Sequence, residues 1–235
     1  RIRMITTAII LAGGLGTRLK DTVPDLPKPM APINDRPFLE YQMDYWINQG
    51  VTKIILSVGY KREIIMNYFG ESYHSASIEY AIEENPLGTG GGLLMAAQHL
   101  TEPFLVLNGD TFIEVDLNEL TNFHQEYQSE WTFALFRVTD ADRYMEIDIN
   151  SDGKILSLQS TTGKINGLAN GGVYLIEPSS LDRLKCKVGD RVSLEDQLLP
   201  DFLSSGGDLF GMECSGKFID IGIPEDYHCA QKYIL

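Results

Sequence analysis

An apolar run rich in β-branched residues, Thr7-Ala8-Ile9-Ile10-Leu11-Ala12, passes without a break into Gly13-Gly14-Leu15-Gly16-Thr17-Arg18-Leu19. The run has the character of a strand, and the glycines after it build a turn with no Cβ atoms in the way. Backbone N–H groups in such a turn come close to phosphate oxygens and form an anion-binding concavity. Arg18 adds a permanent, forked cation to the same loop. Ten residues later Lys28 stands between Pro27 and Pro29, whose fixed φ stiffens the segment that presents its ammonium. The string is suited to holding a nucleoside triphosphate.

Other phosphate-loop patterns fit less well. A P-loop requires Gly-Lys-Ser/Thr where this chain has Gly16-Thr17-Arg18, and a dinucleotide fingerprint requires a third glycine where Leu19 stands. A bare G-G-x-G also occurs in turns that bind nothing. The longer string G-G-x-G-T-R-L, with Pro27-Lys28-Pro29-Met30 behind it, resembles the signature of the sugar-1-phosphate nucleotidyltransferases.

A chain of 235 residues with 43% apolar and 22% charged residues is long enough for a sizeable core and has an ordinary globular composition. The net charge of −14 argues against a nucleic-acid-binding surface, because phosphate backbones are held by basic patches. An anionic substrate must then find local positive charge, which singles out Arg18 and Lys28 and would favour help from a divalent cation. No apolar stretch reaches the roughly 18 residues of a membrane span. The apolar run Ile5–Leu11 ends in the glycine loop instead of a cleavage site. Cys186, Cys214 and Cys229 form no C-x-x-C pair, which fits a reducing cytoplasm and offers no zinc site. His74, His99, His124 and His228 show no metal-ligand spacing and are expected on the surface or on helices.

Strands are expected at Thr7–Ala12, Lys53–Val58, Ile78–Ile82 and Phe104–Leu107. Helices are expected between them at Phe38–Gln49, Lys61–Phe69 and Gly91–Leu100, with Gly50 closing the first. Asp116-x-x-Glu119 resembles a capping box that opens another helix toward Tyr127. The alternation implies right-handed crossovers and an α/β fold with a Rossmann-like, mostly parallel sheet and helices on both faces. The second half is less regular, with strands expected at Trp131–Val138, Glu146–Ile149, Lys154–Leu158 and Gly172–Ile176 and a hairpin turn at Ser151-Asp152-Gly153. Helices are expected at Ser179–Leu184, Leu194–Leu203 and Pro224–Gln231. One domain over 1–235 is expected, with a nucleotide-binding half near 4–130 and a sugar-binding, metal-completing half over 131–235. Ligands of open α/β sheets bind beyond the carboxyl ends of the strands. The glycine loop, the Glu83–Gly92 loop and Asn108–Thr111 should therefore share one crevice.

Further motifs extend the resemblance from Ala8 to Tyr227. Pro86-Leu87-Gly88-Thr89-Gly90 matches the family's nucleobase-packing segment, and the resemblance sets Glu83 or Glu84 at the base edge. A carboxylate there can accept from both N1–H and N2–H₂ of guanine, whereas uracil and thymine offer one N–H. Asn108-Gly109-Asp110 follows an apolar strand, and an aspartate so placed suits Mg²⁺, which takes few carboxylates plus substrate phosphates. Phe218-Ile219-Asp220-Ile221-Gly222-Ile223-Pro224 resembles the segment that supplies a second metal ligand, with Ile223 where threonine is usual.

By that resemblance the catalytic cations are Arg18 and Lys28. The nucleotide site comprises Leu11, Ala12, Gly13, Gly14, Gly16, Thr17, Glu83, Pro86, Leu87, Gly88 and Thr89. Asp110 and Asp220 hold Mg²⁺, and Gly109, Glu146, Lys164, Asn170, Gly171 and Glu195 take the sugar phosphate. Glu195 also has a capping and dipole reading, since Ser193-x-Glu195 opens a helix. Two departures bear on the sugar. Met145 stands where many relatives carry a sugar-facing glycine, and Gln159-Ser160-Thr161-Thr162-Gly163-Lys164 lacks the Glu-Lys pair that grips the sugar phosphate, leaving Lys164 as the substitute.

Within the family the motifs look most like the D-glycero-D-manno-heptose-1-phosphate guanylyltransferases, which serve bacterial surface glycans. Mannose-1-phosphate guanylyl transfer is the runner-up, with uridylyl or thymidylyl transfer to a hexose behind it. The expected partners are an NTP and a sugar 1-phosphate, with no nucleic acid or membrane, and a homodimer is left open. A non-catalytic nucleotide-sugar-binding regulator and a dinucleotide-dependent oxidoreductase are the readings from other classes. Retention of Arg18, Lys28, Asp110 and Asp220 counts against the first, and Leu19 against the second.

Overall fold

The computed structural model describes residues 3–19, 21–139, 144–162 and 166–233, with only the backbone described over 159–162. Strands β1 (Thr7–Ala12), β2 (Lys53–Val58), β3 (Ala76–Ile82) and β4 (Phe104–Asn108) form its parallel centre. They lie in the order β4-β1-β2-β3, so the chain runs from β1 outward through β2 and β3 and then crosses back to the other side of β1. That reversal is the topological switch point of a doubly wound sheet. It sets the carboxyl ends of β1 and β4, Ala12 and Asn108, beside each other.

Alternation within these strands explains why they read as unbroken apolar runs. Ala8, Ile10 and Ala12 pack on one face with Leu39, Met43 and Trp46 of α1 (Phe38–Ile47) and Ile65 and Phe69 of α2 (Arg62–Phe69). Ile9, Ile55, Phe104 and Val106 face the other way, against Leu93, Leu94, Ala96 and Ala97 of α3 (Gly88–Ala97). With helices on both sides neither face needs polar residues.

The second half joins the same sheet antiparallel. Strands β5 (Thr111–Ile113), β6 (Trp131–Arg137), β7 (Met145–Ile149), β8 (Ile155–Thr162), β9 (Leu168–Ile176), β10 (Leu209–Glu213) and β11 (Phe218–Asp220) follow along the chain. Helices α4 (Leu117–Glu126), α5 (Leu199–Ser204) and α6 (Pro224–Tyr233) accompany them. Strand β9 pairs antiparallel with β4, β6 and β7. The result is a mostly parallel mixed sheet of ten strands, the tenth being the short Ser72–Tyr73 beside β3, while β5 and β11 form a separate two-stranded ribbon.

Several boundaries differ from expectation for local reasons. Strand β9 starts four residues earlier than Gly172, at Leu168, because Gly171 and Gly172 form a bulge inside it. Its register shifts between Asn170 and Tyr174, and Gly172 takes φ +77°, which a residue with a Cβ adopts only under strain. The helix expected over Leu194–Leu203 divides into a π-turn at Leu194–Leu198 and α5, where Pro200 fits the first turn. Pro178–Arg183 forms a 3₁₀ turn in place of a helix at Ser179–Leu184. Asp116 caps α4 as expected, its carboxylate accepting from the N–H groups of Asn118 and Glu119. His124 stands on that helix, one of the two settings expected for it. It is buried, with Thr132 Oγ1 2.8 Å from Nδ1 and Glu177 Oε1 3.3 Å from Nε2.

Candidate active site

A cleft of about 650 Å³ opens beyond the carboxyl ends of β1 and β4. The glycine loop, Lys28, the loop after β3 and the Asn108–Thr111 corner all line it. Most of the motif residues expected to converge do so: Leu11, Ala12, Gly13, Gly14, Gly16, Thr17, Arg18, Lys28, Glu83, Pro86, Gly88, Thr89, Gly109, Asp110, Asn170, Glu195 and Asp220 line the cleft. Leu87, Glu146 and Gly171 do not belong to its lining. Leu87 turns its backbone N–H onto Glu83 Oε2 at 3.0 Å, and Gly171 is a packing glycine, since a Cβ there would lie 2.8 Å from Ala134 O. Lys164 lies outside the described residues.

The cations are held in two ways. Arg18 sits exposed on the 3₁₀ turn Thr17–Leu19 and has no ion-pair partner among the described residues. Lys28 opens a second 3₁₀ turn after Pro27, whose φ is −65°. Its ammonium lies 2.9 Å from Asp110 Oδ2, with 13% of its side chain exposed. Gly16 at φ +59° lets the glycine loop lie against Lys28, because a Cβ there would come 3.3 Å from Lys28 Cβ.

Two carboxylates distant in sequence meet through β5 and β11, which pair antiparallel with Asp220 opposite Thr111. The N–H of Ile221 donates to Asp110 O at 2.9 Å, and that of Gly222 donates to Asp220 Oδ1 at 2.6 Å. A Cβ on Gly222 would fall 2.7 Å from Asp220 Oδ1, 3.3 Å from Asp110 Oδ2 and 3.6 Å from Lys28 Nζ, so three charged groups converge on one glycine. Burial pushes the Asp220 carboxyl up to about 6, and the negative charge of Asp110 adds to the shift. Such a pair is short of positive charge. Its two hard oxygen donors fit a Mg²⁺ ion that completes its shell with water and substrate phosphate. No cluster of three or more His, Cys, Asp or Glu residues forms a metal cage among the described residues.

Of the two glutamates set at the base edge, Glu83 faces the cleft. Glu83 is 7% exposed, and its carboxylate accepts from Ser57 Oγ at 3.1 Å and from Leu87 N at 3.0 Å. Glu84 points outward and pairs with Arg62 at 3.3 Å. The glycines after it serve packing more than anions. The N–H groups of Gly90 and Gly91 donate to Val192 O at 2.9 and 3.2 Å, so two of the amides at the start of α3 are satisfied by the chain before α5.

The opposite end of the cleft is polar below and apolar at the side. Asn170 lines it and is tied internally, its amide donating to Tyr174 Oη at 2.6 Å and its Oδ1 accepting from Gly172 N at 2.9 Å. Asn108 Oδ1 and Thr111 Oγ1 are buried beneath the cleft with no hydrogen-bond partner among the described residues. Ser193 caps the turn at Leu194, which frees Glu195 from that duty. Glu195 accepts from Thr89 Oγ1 at 3.0 Å, and burial raises its carboxyl above the ordinary glutamate range. Tyr144, Met145 and Phe218 form the apolar side.

Sequence reasoning assigned no role to Ser57 or Arg191, both of which line the cleft. Ser57 had a signal: it is the polar residue inside the apolar run Ile54–Val58. Arg191 had none, since it stands on an irregular segment. Like Arg18, it is exposed and lacks an ion-pair partner among the described residues.

The family model described as nucleotidyl transferase matches residues 7–235. A D-glycero-alpha-D-manno-heptose 1-phosphate guanylyltransferase of Aneurinibacillus thermoaerophilus is 41% identical over 228 residues, covering 96% of each chain. An enzyme of the same name from Campylobacter jejuni is 40% identical over 94% of this chain and 96% of its own. The crystal structure of HddC from Yersinia pseudotuberculosis superposes with a TM-score of 0.86 at 34% identity, over 98% of this chain and 100% of that one. HddC has also been solved in complex with GMP-PN. The chain belongs to the nucleotidyl transferase family.

Proposed function

We propose that this protein transfers a guanylyl group from GTP to D-glycero-D-manno-heptose 1-phosphate, releasing pyrophosphate and a GDP-heptose. The observation that carries the reading is the meeting of Arg18, Lys28, Asp110 and Asp220 in one cleft with a buried carboxylate, Glu83, at its nucleotide end. Relatives that share about two fifths of the sequence along nearly their whole length are heptose 1-phosphate guanylyltransferases. The buried, unpartnered oxygens of Asn108 and Thr111 suit a ligand rich in hydroxyl groups, because buried polar atoms are normally hydrogen-bonded.

Phosphoryl transfer asks for positioning and charge stabilisation more than for covalent chemistry by the protein. A phosphate oxygen of the sugar 1-phosphate attacks the α-phosphorus of GTP in line. The bond to the bridging oxygen breaks, and pyrophosphate departs with the electron pair. Arg18 and the amides of Gly13–Thr17 hold the β- and γ-phosphates and offset the charge that grows on the leaving group. Lys28 spans the α-phosphate and the incoming phosphate, drawing them together against their repulsion. No general base is needed, since a phosphate monoester is already ionised at neutral pH. Asp110 and Asp220 would hold Mg²⁺, which when bound supplies further positive charge to the phosphates. Production of a nucleotide sugar from soluble substrates fits a cytoplasmic enzyme feeding bacterial surface glycan assembly.

The test is pyrophosphate release with Mg²⁺, crossing GTP, UTP, dTTP, CTP and ATP with heptose, mannose and glucose 1-phosphates. Turnover with GTP and the heptose is expected. Preference for mannose 1-phosphate would keep guanylyl transfer and correct the sugar. Nucleotide binding without turnover on any pair would overturn the enzymatic reading in favour of a regulator.

A further inference from the structure

Strand β2 carries a hydroxyl where its neighbours are all aliphatic. Ser57 is 1% exposed, lies between Leu56 and Val58, and its side chain reaches the wall of the cleft. A buried hydroxyl costs free energy unless it is bonded, and the Ser57 hydroxyl is bonded to Glu83 Oε1 at 3.1 Å. The other carboxylate oxygen, Oε2, accepts from Leu87 N at 3.0 Å. One donor is thus fixed on each oxygen. An ionised carboxylate offers about four lone-pair directions, so one stays open on each oxygen.

The space around this carboxylate is made by missing side chains. A Cβ on Gly13 would sit 2.7 Å from Glu83 Oε1, and one on Gly92 would sit 2.6 Å from the same oxygen and 2.7 Å from Ser57 Oγ. A Cβ on Gly59 would lie 3.6 Å from Glu83 Cβ. Three glycines, two on loops and one in α3, therefore enclose one acid. A glycine has no side chain to orient it, so its rotation about the last bond rests on Ser57 and Leu87 N.

We propose that Ser57 is a positioning residue for nucleobase selection: its hydroxyl holds the Glu83 carboxylate so that both oxygens present an open lone pair to the cleft, the pattern that matches the adjacent N1–H and N2–H₂ donors of guanine. The inference rests on the guanylyl reading above. Hypoxanthine keeps N1–H and lacks the amino group, so it uses one of the two oxygens. With Ser57 removed the carboxylate is tethered at Oε2 alone, Oε1 swings, and the two-point match becomes a one-point match. Guanine loses more by this than hypoxanthine does.

The experiment compares kcat and KM for GTP and ITP in the wild type and in Ser57→Ala, with the sugar 1-phosphate saturating and Mg²⁺ present. In Ser57→Ala the KM for GTP is expected to rise about tenfold, the scale of one hydrogen bond to a charged group, with a smaller change in kcat. The preference for GTP over ITP should fall several-fold. A merely structural loosening would weaken both nucleotides alike and leave that ratio unmoved, which would overturn the proposal. Should Ser57→Ala fold poorly, Ser57→Thr and Ser57→Val give a matched pair of equal shape. Selectivity retained by threonine and lost by valine supports the proposal, and equal selectivity in the two overturns it. A wild type that prefers UTP to GTP would refute the guanylyl reading itself. A wild type that selects GTP, with Ser57→Ala selecting it equally well, would refute only the role of Ser57.

Discussion

Replacing Lys28 with methionine removes one charge while keeping most of the aliphatic stem that lies against Gly16. The ammonium is 2.9 Å from Asp110 Oδ2, in a setting where 13% of the lysine and 30% of the aspartate side chain are exposed. Unit charges that close attract by about 6 kcal/mol at an effective dielectric near 20, before desolvation is subtracted. Exposed pairs net about 0–1 kcal/mol and breaking a fully buried one costs about 3–5; this half-buried pair falls between, at about 2 kcal/mol. For a chain of this size that lowers Tm by roughly 4–8 °C. The catalytic loss should be larger. Removing one preorganised donor from the centre of developing charge costs about 10²–10³ in kcat. Pyrophosphate release at saturating substrates and a thermal melt of the same preparation read the two effects separately. Adding Asp110→Asn to Lys28→Met relieves the repulsion left between Asp110 and Asp220. The double variant should therefore regain part of the lost Tm and none of the lost turnover. A Lys28→Met enzyme within about threefold of wild-type kcat would remove Lys28 from the mechanism. A double variant that melts no higher than the single one would refute the electrostatic account of its stability.

Gly13→Ala would place its Cβ 2.7 Å from Glu83 Oε1, displacing a carboxylate fixed at both oxygens, at a cost of about 1–3 kcal/mol by overpacking. In a Glu83→Ala background the same change should cost almost nothing, and equal shifts of the urea midpoint in both backgrounds would show that the clash is not with Glu83. Burial holds the imidazole of His124 below its ordinary value of 6.5, against the opposing pull of Glu177. The unfolded chain then takes up the proton first, so this contribution to stability is complete above pH 6.5 and falls as the pH drops below it. Urea melts of wild type and His124→Gln from pH 8 to 5 should converge toward the acid end, and parallel curves would refute the assignment. Arg191→Met removes a cation with no ion-pair partner among the described residues, on the segment that also carries Glu195. The KM for sugar 1-phosphate should rise about tenfold, the worth of one charge-assisted hydrogen bond, and unchanged KM values for both substrates would exclude contact with either.

What was legible in the sequence, and what was not, follows from the range of each interaction. The strand at Thr7–Ala12, the cap at Asp116 and the turn around Lys28 are set by residues adjacent along the chain, and they appear where local chemistry puts them. The approach of Asp220 to Asp110 depends on β11 pairing with β5 across more than a hundred residues, and only the family pattern made it visible. Ser57 was marked only as the one polar residue in an apolar run, and Arg191 had no pattern to announce it. The glycines are the instructive case, because their composition invites a single explanation and the structure divides it. At Gly109 a Cβ would lie 2.3 Å from Leu11 O, and at Gly91 it would lie 2.5 Å from Asp190 O; these are glycines because protein backbone occupies the space. Gly13 and Gly92 yield their space to the Glu83 carboxylate. Gly14, at the open edge of the same loop, has nothing within 4 Å of where its Cβ would be. Of the residues in the glycine-rich turn it is Gly14 whose missing side chain borders open space in the cleft, whereas the glycine one position earlier packs that turn against the Glu83 carboxylate behind it.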